Sequence, residues 1–451
     1  MIKVITQYLA ALLFLVAVPV LAGEAYIQPL VTGWEVRPII TVGESAANGY
    51  RMVGVPDGLG AFDNNDGSFT LLMNHEIAAN KGAIRAHGQK GAFVSRWVID
   101  AESLAVRSGA DLVRATLPIG VVTPFNRLCS ADLAPPSAFY NASTQKGYAG
   151  QLFLNGEEDK AGGRAFAHSL NGISYALPDL GRIAWENVLV NAGTGDKTIV
   201  MGMDDIHNGL VLTYVGEKRT QGNPVEQAGL VDGRLYAIKA EGARFSLVAL
   251  QNAAKLDGKA LREQAAKLGA ALFARPEDGA WDTQNANLFY FTTTDKIGGN
   301  TQLHQLQFDD VKQPALGGRI EVVLNGRDIG AEMFDNLTVD SDGKVLIQED
   351  PGKDARLAAI WQFDPVRKTA LKVFESRPAL FLSGQAQFMT EDEEHSGIVE
   401  ITHLLKTATW FDVNRRYYLG TTQSHLEHTD AELVEYGQLW LMTSPSSISQ
   451  Y

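Results

Sequence analysis

Thr198-Ile199-Val200-Met201-Gly202-Met203-Asp204-Asp205 is a short apolar run closed by two acids, the signature of a strand that stops at a turn. The same device recurs at Asn74-His75-Glu76, Gly156-Glu157-Glu158, Thr294-Asp295 and Gln348-Glu349-Asp350. The intervals are irregular, so this is not a clean tandem repeat. A β-propeller with long loop insertions produces such spacing, and it aims the strand-end acids at a central channel. A large β-sandwich is the rival architecture, and the convergence of acids favours the propeller.

Outward from that run, short strands cover the chain. They are predicted at Ser68 to Asn74, Phe93 to Ile99, Gln151 to Leu154, Leu210 to Val215, Arg234 to Lys239, Leu288 to Thr293, Gln302 to Phe308 and Arg319 to Leu324. Further ones follow at Lys344 to Gln348, Ile360 to Phe363, Leu371 to Phe374, Arg416 to Leu419 and Gln438 to Met442. One helix stands out, the Ala/Lys/Glu-rich stretch from Gly258 to Phe273. A single helix among so many strands argues against an alternating α/β sheet. The fold class is therefore all-β with at least one inserted helix, and no linker composition divides residues 23–451 into separate domains.

With 45% hydrophobic and 20% charged residues the chain reads as a globular protein, and 39 basic against 52 acidic residues leave a formal charge of −13. That balance argues against nucleic acid as a partner, because phosphate backbones are bound by clustered Lys and Arg. Residues 1–22 read as a secretory signal peptide: Lys3 in a short cationic head, a largely apolar Leu9 to Leu21, and a small-residue site at Val20-Leu21-Ala22. The expectation is a periplasmic or secreted protein with no stable membrane insertion after cleavage. There is one cysteine, Cys129, so no disulfide forms within the chain. By composition alone that thiol reads as a small buried hydrophobe before it reads as a ligand or nucleophile.

Clustered carboxylates raise one another's pKa unless a cation neutralises them, and hard cations such as calcium take six to eight oxygen ligands. The recurring strand-end acids suit that chemistry. Asp63-Asn64-Asn65-Asp66-Gly67 and Asp340-Ser341-Asp342-Gly343 also resemble calcium loops, but neither completes an EF-hand, and both read better as hairpin turns. In Ala274-Arg275-Pro276-Glu277-Asp278-Gly279-Ala280-Trp281 an arginine able to clamp a phosphate stands beside two acids that could instead hold it in a salt bridge. Arg127, two residues before Cys129, is placed to lower the pKa of that thiol. His75, His207 and His425 lie near these segments, and each taken alone reads as a surface or core histidine. No nucleophile elbow, Walker loop, His-Glu-x-x-His or CxxC motif is present.

Taken in order, Val55-Pro56-Asp57-Gly58-Leu59-Gly60-Ala61, Asn74-His75-Glu76, Arg127-Leu128-Cys129-Ser130-Ala131-Asp132, Asn155-Gly156-Glu157-Glu158 and Met201-Gly202-Met203-Asp204-Asp205 resemble the PhoX-type alkaline phosphatases. So do Ala274 to Gly279, Asp335-Asn336-Leu337 through Gln348-Glu349-Asp350-Pro351-Gly352, and Glu391-Asp392-Glu393-Glu394-His395-Ser396-Gly397. The series spans nearly all of residues 23–451 and is most similar to a shorter, mostly uncharacterised branch. The chain departs from the characterised branch at Ser130-Ala131, where that branch has two glutamates, at Asp204 in place of a glutamate, and in lacking a twin-Arg signal.

The resemblance implies a six-bladed β-propeller that hydrolyses phosphomonoesters at a cluster of Fe3+ and Ca2+ in its channel. It implies Cys129 as a thiolate ligand, Glu76, Asp204 and Glu277 as carboxylate ligands, and Arg275 as the residue that holds the substrate phosphate. Glu158, Asp278, Glu349, Asp350 and Glu394 are further candidate metal ligands. The expected partner is a small phosphate ester, and the expected state a monomer. Two other functions remain open: another propeller hydrolase (a phosphodiesterase, a phytase-like enzyme or a lactonase), or a calcium-stabilised binding propeller without catalysis.

Overall fold

The computed structural model describes residues 23–117 and 123–446, so the expected signal peptide lies outside the described residues. From residue 56 to 111, Pro56–Asp63, Ser68–His75, Phe93–Asp100 and Val106–Asp111 pair antiparallel in chain order. Ser68–His75 is buried along its whole length. Its alternate side chains enter different cores: Phe69, Leu71 and Met73 pack with Trp97 and Ile99, whereas Leu72 packs with Val94, Leu128 and Phe153. A sheet covered on both faces needs apolar residues at every position, which is why these strands read as unbroken apolar runs.

The meander then repeats along the chain. Leu128–Asp132 pairs with Leu152–Gly163, followed by Ala165–Ser169 and Ile173–Ala176. Ile183–Val190, Lys197–Asp204, Val211–Glu217 and Arg234–Glu241 form the next, with Arg244–Ala249 at its edge. Pro276–Trp281, Leu288–Thr293, Gln302–Phe308 and Gly318–Asn325 follow. Phe334–Val339, Val345–Glu349, Ala359–Asp364 and Thr369–Ser376 come next, with Ile27–Pro29 added outside. Finally Glu394–Glu400, Tyr417–Gln423 and Gln438–Thr443 are completed by Glu35–Thr41, which ties the start of the described chain to its end.

The strands that open these meanders lie side by side: Pro56–Asp63 against Leu128–Asp132, then Ile183–Val190, Pro276–Trp281, Phe334–Val339 and Glu394–Glu400, which returns to Pro56–Asp63. They pack through side chains and are not hydrogen-bonded into a barrel. The all-β expectation holds, and the inserted helix is Gly258–Lys267, shorter than predicted. It starts at Asp257, whose side chain accepts from the Ala260 backbone N–H, and stops well before Phe273, which lies in a two-residue strand. The Asp63 to Gly67 and Asp340 to Gly343 segments are turns between paired strands, as read.

Candidate metal centre

Each inner strand carries a ligating side chain near its start: Asp57, Cys129, Glu186, Glu277, Asp335 and Glu394. The partner strand runs antiparallel and, except for Leu152–Gly163, which runs on past Glu157, ends at the same level, with Pro56 opposite His75, Leu128 opposite Glu157, Trp185 opposite Asp204, Pro276 opposite Thr293, Phe334 opposite Glu349 and Glu394 opposite Gln423. Strand-opening and strand-closing groups therefore meet at one end of the ring.

Local backbone makes the meeting possible. Register breaks between Pro56 and Leu59, Trp185 and Val188, Pro276 and Gly279, and Phe334 and Leu337, each straddling the acid of that strand. A bulge of this kind rotates the strand and re-aims a side chain. Four of these strands are entered through a left-handed non-glycine residue: Val55 (φ 55°), Arg127 (φ 46°), Arg275 (φ 56°) and Met333 (φ 48°). Such conformations persist where the surrounding structure over-determines them, and they concentrate at functional sites. Gly58 is needed for close approach, since a Cβ there would collide with the Ser130–Ala131 backbone of the neighbouring strand.

Three groups of ligating atoms result, each with its atoms within 4.8 Å of one another: Asp57, Glu76 and Cys129; Glu186, Glu277 and Asp335; Asp335, Asp350 and Glu394. Asp335 belongs to two of them. Burial, then neighbouring acids, pushes the carboxyls of Asp57, Glu186 and Asp335 well above the usual range. Glu277 is also driven up, by burial and Asp205 against the opposing pull of Arg275. Burial with Glu394 raises Asp350 to about 7, and burial, opposed by Arg127, leaves Glu158 at about 8. The Cys129 thiol is pushed up by burial and then by Glu76, Glu186, Glu158 and Asp57. The lowering expected from Arg127 is overridden, because that guanidinium is held by Glu76 and Glu158 while four acids face the sulfur.

These residues fit bound cations. Asp57 Oδ1 and Gln423 Oε1 are buried without a hydrogen-bond donor among the described residues, which is costly for an acceptor unless a cation or donor completes it. The Oδ/Oε-rich groups suit hard cations, and the group that includes Cys129 adds a soft donor suited to a transition metal.

Of the residues singled out from sequence, Glu76, Cys129, Glu277, Asp350 and Glu394 fall in these groups. Glu158 lies beside them, its Oε2 3.6 Å from Cys129 Sγ. Asp204, Glu349 and Asp278 stand apart. Asp204 is fully buried and receives Arg262 Nε (2.8 Å) and Nη2 (2.9 Å), while Asp205 is the acid that reaches the site. Glu349 takes Arg356, Trp361 Nε1 and the Glu332 and Ala359 backbone N–H groups. Asp278 takes Asn187 Nδ2 and the Gly279 and Leu337 backbone N–H groups, below the cluster. Thr294-Asp295 also turns away, with Asp295 accepting from the Asn300 N–H. Arg262→Ala is accordingly expected to destabilise the fold by about 3–5 kcal/mol, because it strands a buried charge, while metal content per folded molecule stays unchanged. Thermal melting with metal analysis checks both halves.

Asp57, Glu186, Asp335 and Asp205 were not singled out as ligands. Glu186 had a usable signal, an acid inside the apolar run Ile183-Ala184-Trp185-Glu186-Asn187-Val188-Leu189-Val190. His425 belongs to the site as well: its ring nitrogens lie 3.0 Å from Glu394 and 3.0 Å from Glu435. Burial opposes its charge, but those two carboxylates raise its pKa well above the ordinary value.

A cavity of about 220 Å³ opens on the cluster, lined by Glu76, Lys81, Arg127, His425 and Glu435 over Val55, Ile77, Ala78 and Val434. A larger one, about 790 Å³, opens at the opposite ends of the inner strands around Asp63, Asp132, Trp281 and Glu400. Asn336 bonded to Ser130 and Asn187 bonded to Asp278 form a polar layer at its inner end. His425 and the carboxylate-paired guanidinium of Arg127 line the small cavity, so size does not mark the chemistry here.

Fold and site together define a meander-built β protein with a buried acidic cluster, a candidate cation centre, at one end of a ring of strands. Residues 168–324 match the family model for alkaline phosphatase PhoX, which bears out the resemblance carried by the ordered motifs. No curated protein matches the chain. The structure is similar to that of Pseudomonas fluorescens PhoX in complex with vanadate, at TM-score 0.66 and 12% identity over 94% of this chain and 97% of that one. A fungal alcohol oxidase with bound copper is more distant, at TM-score 0.41 and 9% identity over 91% and 76%. Among the described residues no helix is long and apolar enough to cross a membrane.

Proposed function

We propose that the chain is an exported phosphomonoesterase with a six-bladed propeller, each blade one of the meanders above, and with iron and calcium held at the ligating end of its inner strands. The observation that carries this reading is the set of three ligand groups, two of them linked through Asp335, seven of the eight side chains being carboxylates and the eighth the sole thiol. The residues that would hold the metals are Asp57, Glu76, Cys129, Glu186, Glu277, Asp335, Asp350 and Glu394, with Glu158 beside them. Bound there, the metals would supply Lewis-acid stabilisation of charge developing at phosphorus.

The chain's own residues do the rest. Arg275 is fixed by Asp205 through Nε (2.7 Å) and Nη2 (2.9 Å) and by Glu277 through Nη2 (2.7 Å). Among the described residues its Nη1 has no protein partner, so a phosphate oxygen can be taken there without breaking the carboxylate pairs that orient it. The salt bridge weighed from sequence and the phosphate contact are thus compatible. Arg275→Lys loses the planar fork, and a roughly ten- to hundredfold fall in kcat/KM is expected, with metal content retained. Steady-state kinetics on a chromogenic monoester reads the first and elemental analysis the second.

The test of the whole reading is metal analysis of the purified protein coupled to a substrate panel. Near-stoichiometric iron with monoester turnover supports it. Calcium without iron and without turnover on any ester would make this a structural binding propeller, and turnover confined to diesters or lactones would make it another propeller hydrolase.

A further inference from the structure

The small cavity at the mouth holds a second arginine built in the same way as Arg275. Arg127 is also left-handed, also the residue immediately before an inner strand, and also fixed across two carboxylates. Its Nε donates to Glu76 Oε1 at 2.8 Å, and its Nη2 pairs with Glu76 Oε1 at 2.6 Å and with Glu158. Among the described residues Nη1 again has no protein partner, and the side chain is 47% exposed, on the lining of the 220 Å³ cavity. We propose that Arg127 and Arg275 form a two-guanidinium clamp for a tetrahedral oxyanion, each using the edge that its carboxylates leave open. This assignment rests on the phosphatase reading and names a binding residue that the motif resemblance did not.

Three observations support it. The two arginines are held from either side of Ala184: Glu158, ion-paired with Arg127, is the register partner of Ala184, whose carbonyl accepts the backbone N–H of Asp205 (2.8 Å), the acid that holds Arg275. Each arginine is spanned between acids that close or open strands of different hairpins, Glu76 and Glu158 for one and Asp205 and Glu277 for the other, so their positions are set by the packing of the meanders. Guanidinium groups held this way have lost little freedom on binding, and their paired N–H groups match two oxygens of a phosphate. Charge balancing of the acids alone accounts for Nε and Nη2 of each arginine but leaves Nη1 of both without a protein partner among the described residues.

The experiment compares metal-loaded wild type, Arg127→Lys, Arg127→Gln and Arg275→Lys for inorganic phosphate binding by calorimetry, for competitive inhibition by phosphate, and for metal content. Arg127→Lys keeps the charge that Glu76 and Glu158 require, so metal content and melting temperature should match wild type. Its phosphate dissociation constant and KM should rise roughly ten- to hundredfold, as for Arg275→Lys. Arg127→Gln should bind phosphate no better than Arg127→Lys, and phosphate bound by Arg127→Lys as tightly as by wild type overturns the clamp, since Arg127 then only balances its carboxylates. Wild type that hydrolyses monoesters beside an indifferent Arg127→Lys sinks the clamp alone. Metal-loaded wild type that neither binds phosphate nor turns over a monoester sinks the phosphatase reading with it.

Discussion

Cys129→Ala is expected to give a folded protein that has lost iron and most of its monoesterase activity, by about a hundredfold or more. Loss of a group that only orients a ligand already costs roughly 10–100-fold in metal affinity or activity, and Cys129 would be a ligand itself. The thiol sits on a ring strand within 4.8 Å of Asp57 and Glu76 ligand atoms, and the side chain is small, so its removal leaves the packing of Leu128 and Phe153 nearly intact. Burial, and then the acids around it, raise its pKa, so in the absence of a cation the sulfur holds its proton, and a bound metal must displace it. Elemental analysis and a monoester assay on the variant decide the matter. Full metal and full rate would return Cys129 to the role of a buried hydrophobe. Cys129→Ser, which offers a harder donor, should retain calcium better than iron.

Chelation is expected to lower the melting temperature at neutral pH by roughly 5 °C, and added calcium to restore it. An ion at a hundred times its dissociation constant contributes about 2.7 kcal/mol to a fold that alone can bind it, and for a domain of 150–250 residues each kcal/mol is worth about 2–4 °C. The pH dependence carries a definite sign. Asp57, Glu186, Glu277 and Asp335 have folded pKa values raised above those of the unfolded chain, with Asp350 at about 7 and Glu158 at about 8. A carboxyl raised on folding binds its proton more tightly in the native state, so the metal-free protein loses stability as pH rises from about 4 through 8. With calcium present the cation takes the place of the protons, and the fall over that window should flatten. Melting curves between pH 5 and pH 8, with chelator and with calcium, test this directly. A melt indifferent to chelator and flat across the range would mean that the acids are neutralised by their arginine and histidine partners alone.

The outer strands were legible in the sequence, and every predicted run coincides with an observed strand to within a few residues at its ends except Gln151 to Leu154, which is only the start of Leu152–Gly163. None of the inner strands was among them. Pro56-Asp57-Gly58-Leu59-Gly60, Pro276-Glu277-Asp278-Gly279 and Phe334-Asp335-Asn336 are rich in Pro, Gly, Asp and Asn, which read as turns, and Leu128-Cys129-Ser130-Ala131-Asp132 is short and ends in an acid. They are strands because neighbours on both sides leave them no room to turn and because bulges absorb their irregular backbone. The recurring acid at a strand end therefore identified the second strand of a meander and missed the first, so Asp57, Glu186 and Asp335, three of the eight ligating side chains, stayed hidden.

By itself the sequence determined the class of fold, the export expectation, the lone thiol and the excess of acids, since these follow from composition and from apolar runs a few residues long. Only the tertiary structure decided which acids act together. Adjacent carboxylates in Asp204-Asp205, Glu277-Asp278 and Glu349-Asp350 point to opposite sides of a strand, so one of each pair reaches the cluster and its neighbour is taken by Arg262, by Asn187 or by Arg356. The groups are completed across long separations, as where Gln423 donates to Asp57 at 3.1 Å and to Glu76 at 3.1 Å from the far end of the chain. Local sequence carries no record of such pairings, because they are set by closure of the strand ring, which brings residues 366 positions apart within one hydrogen bond.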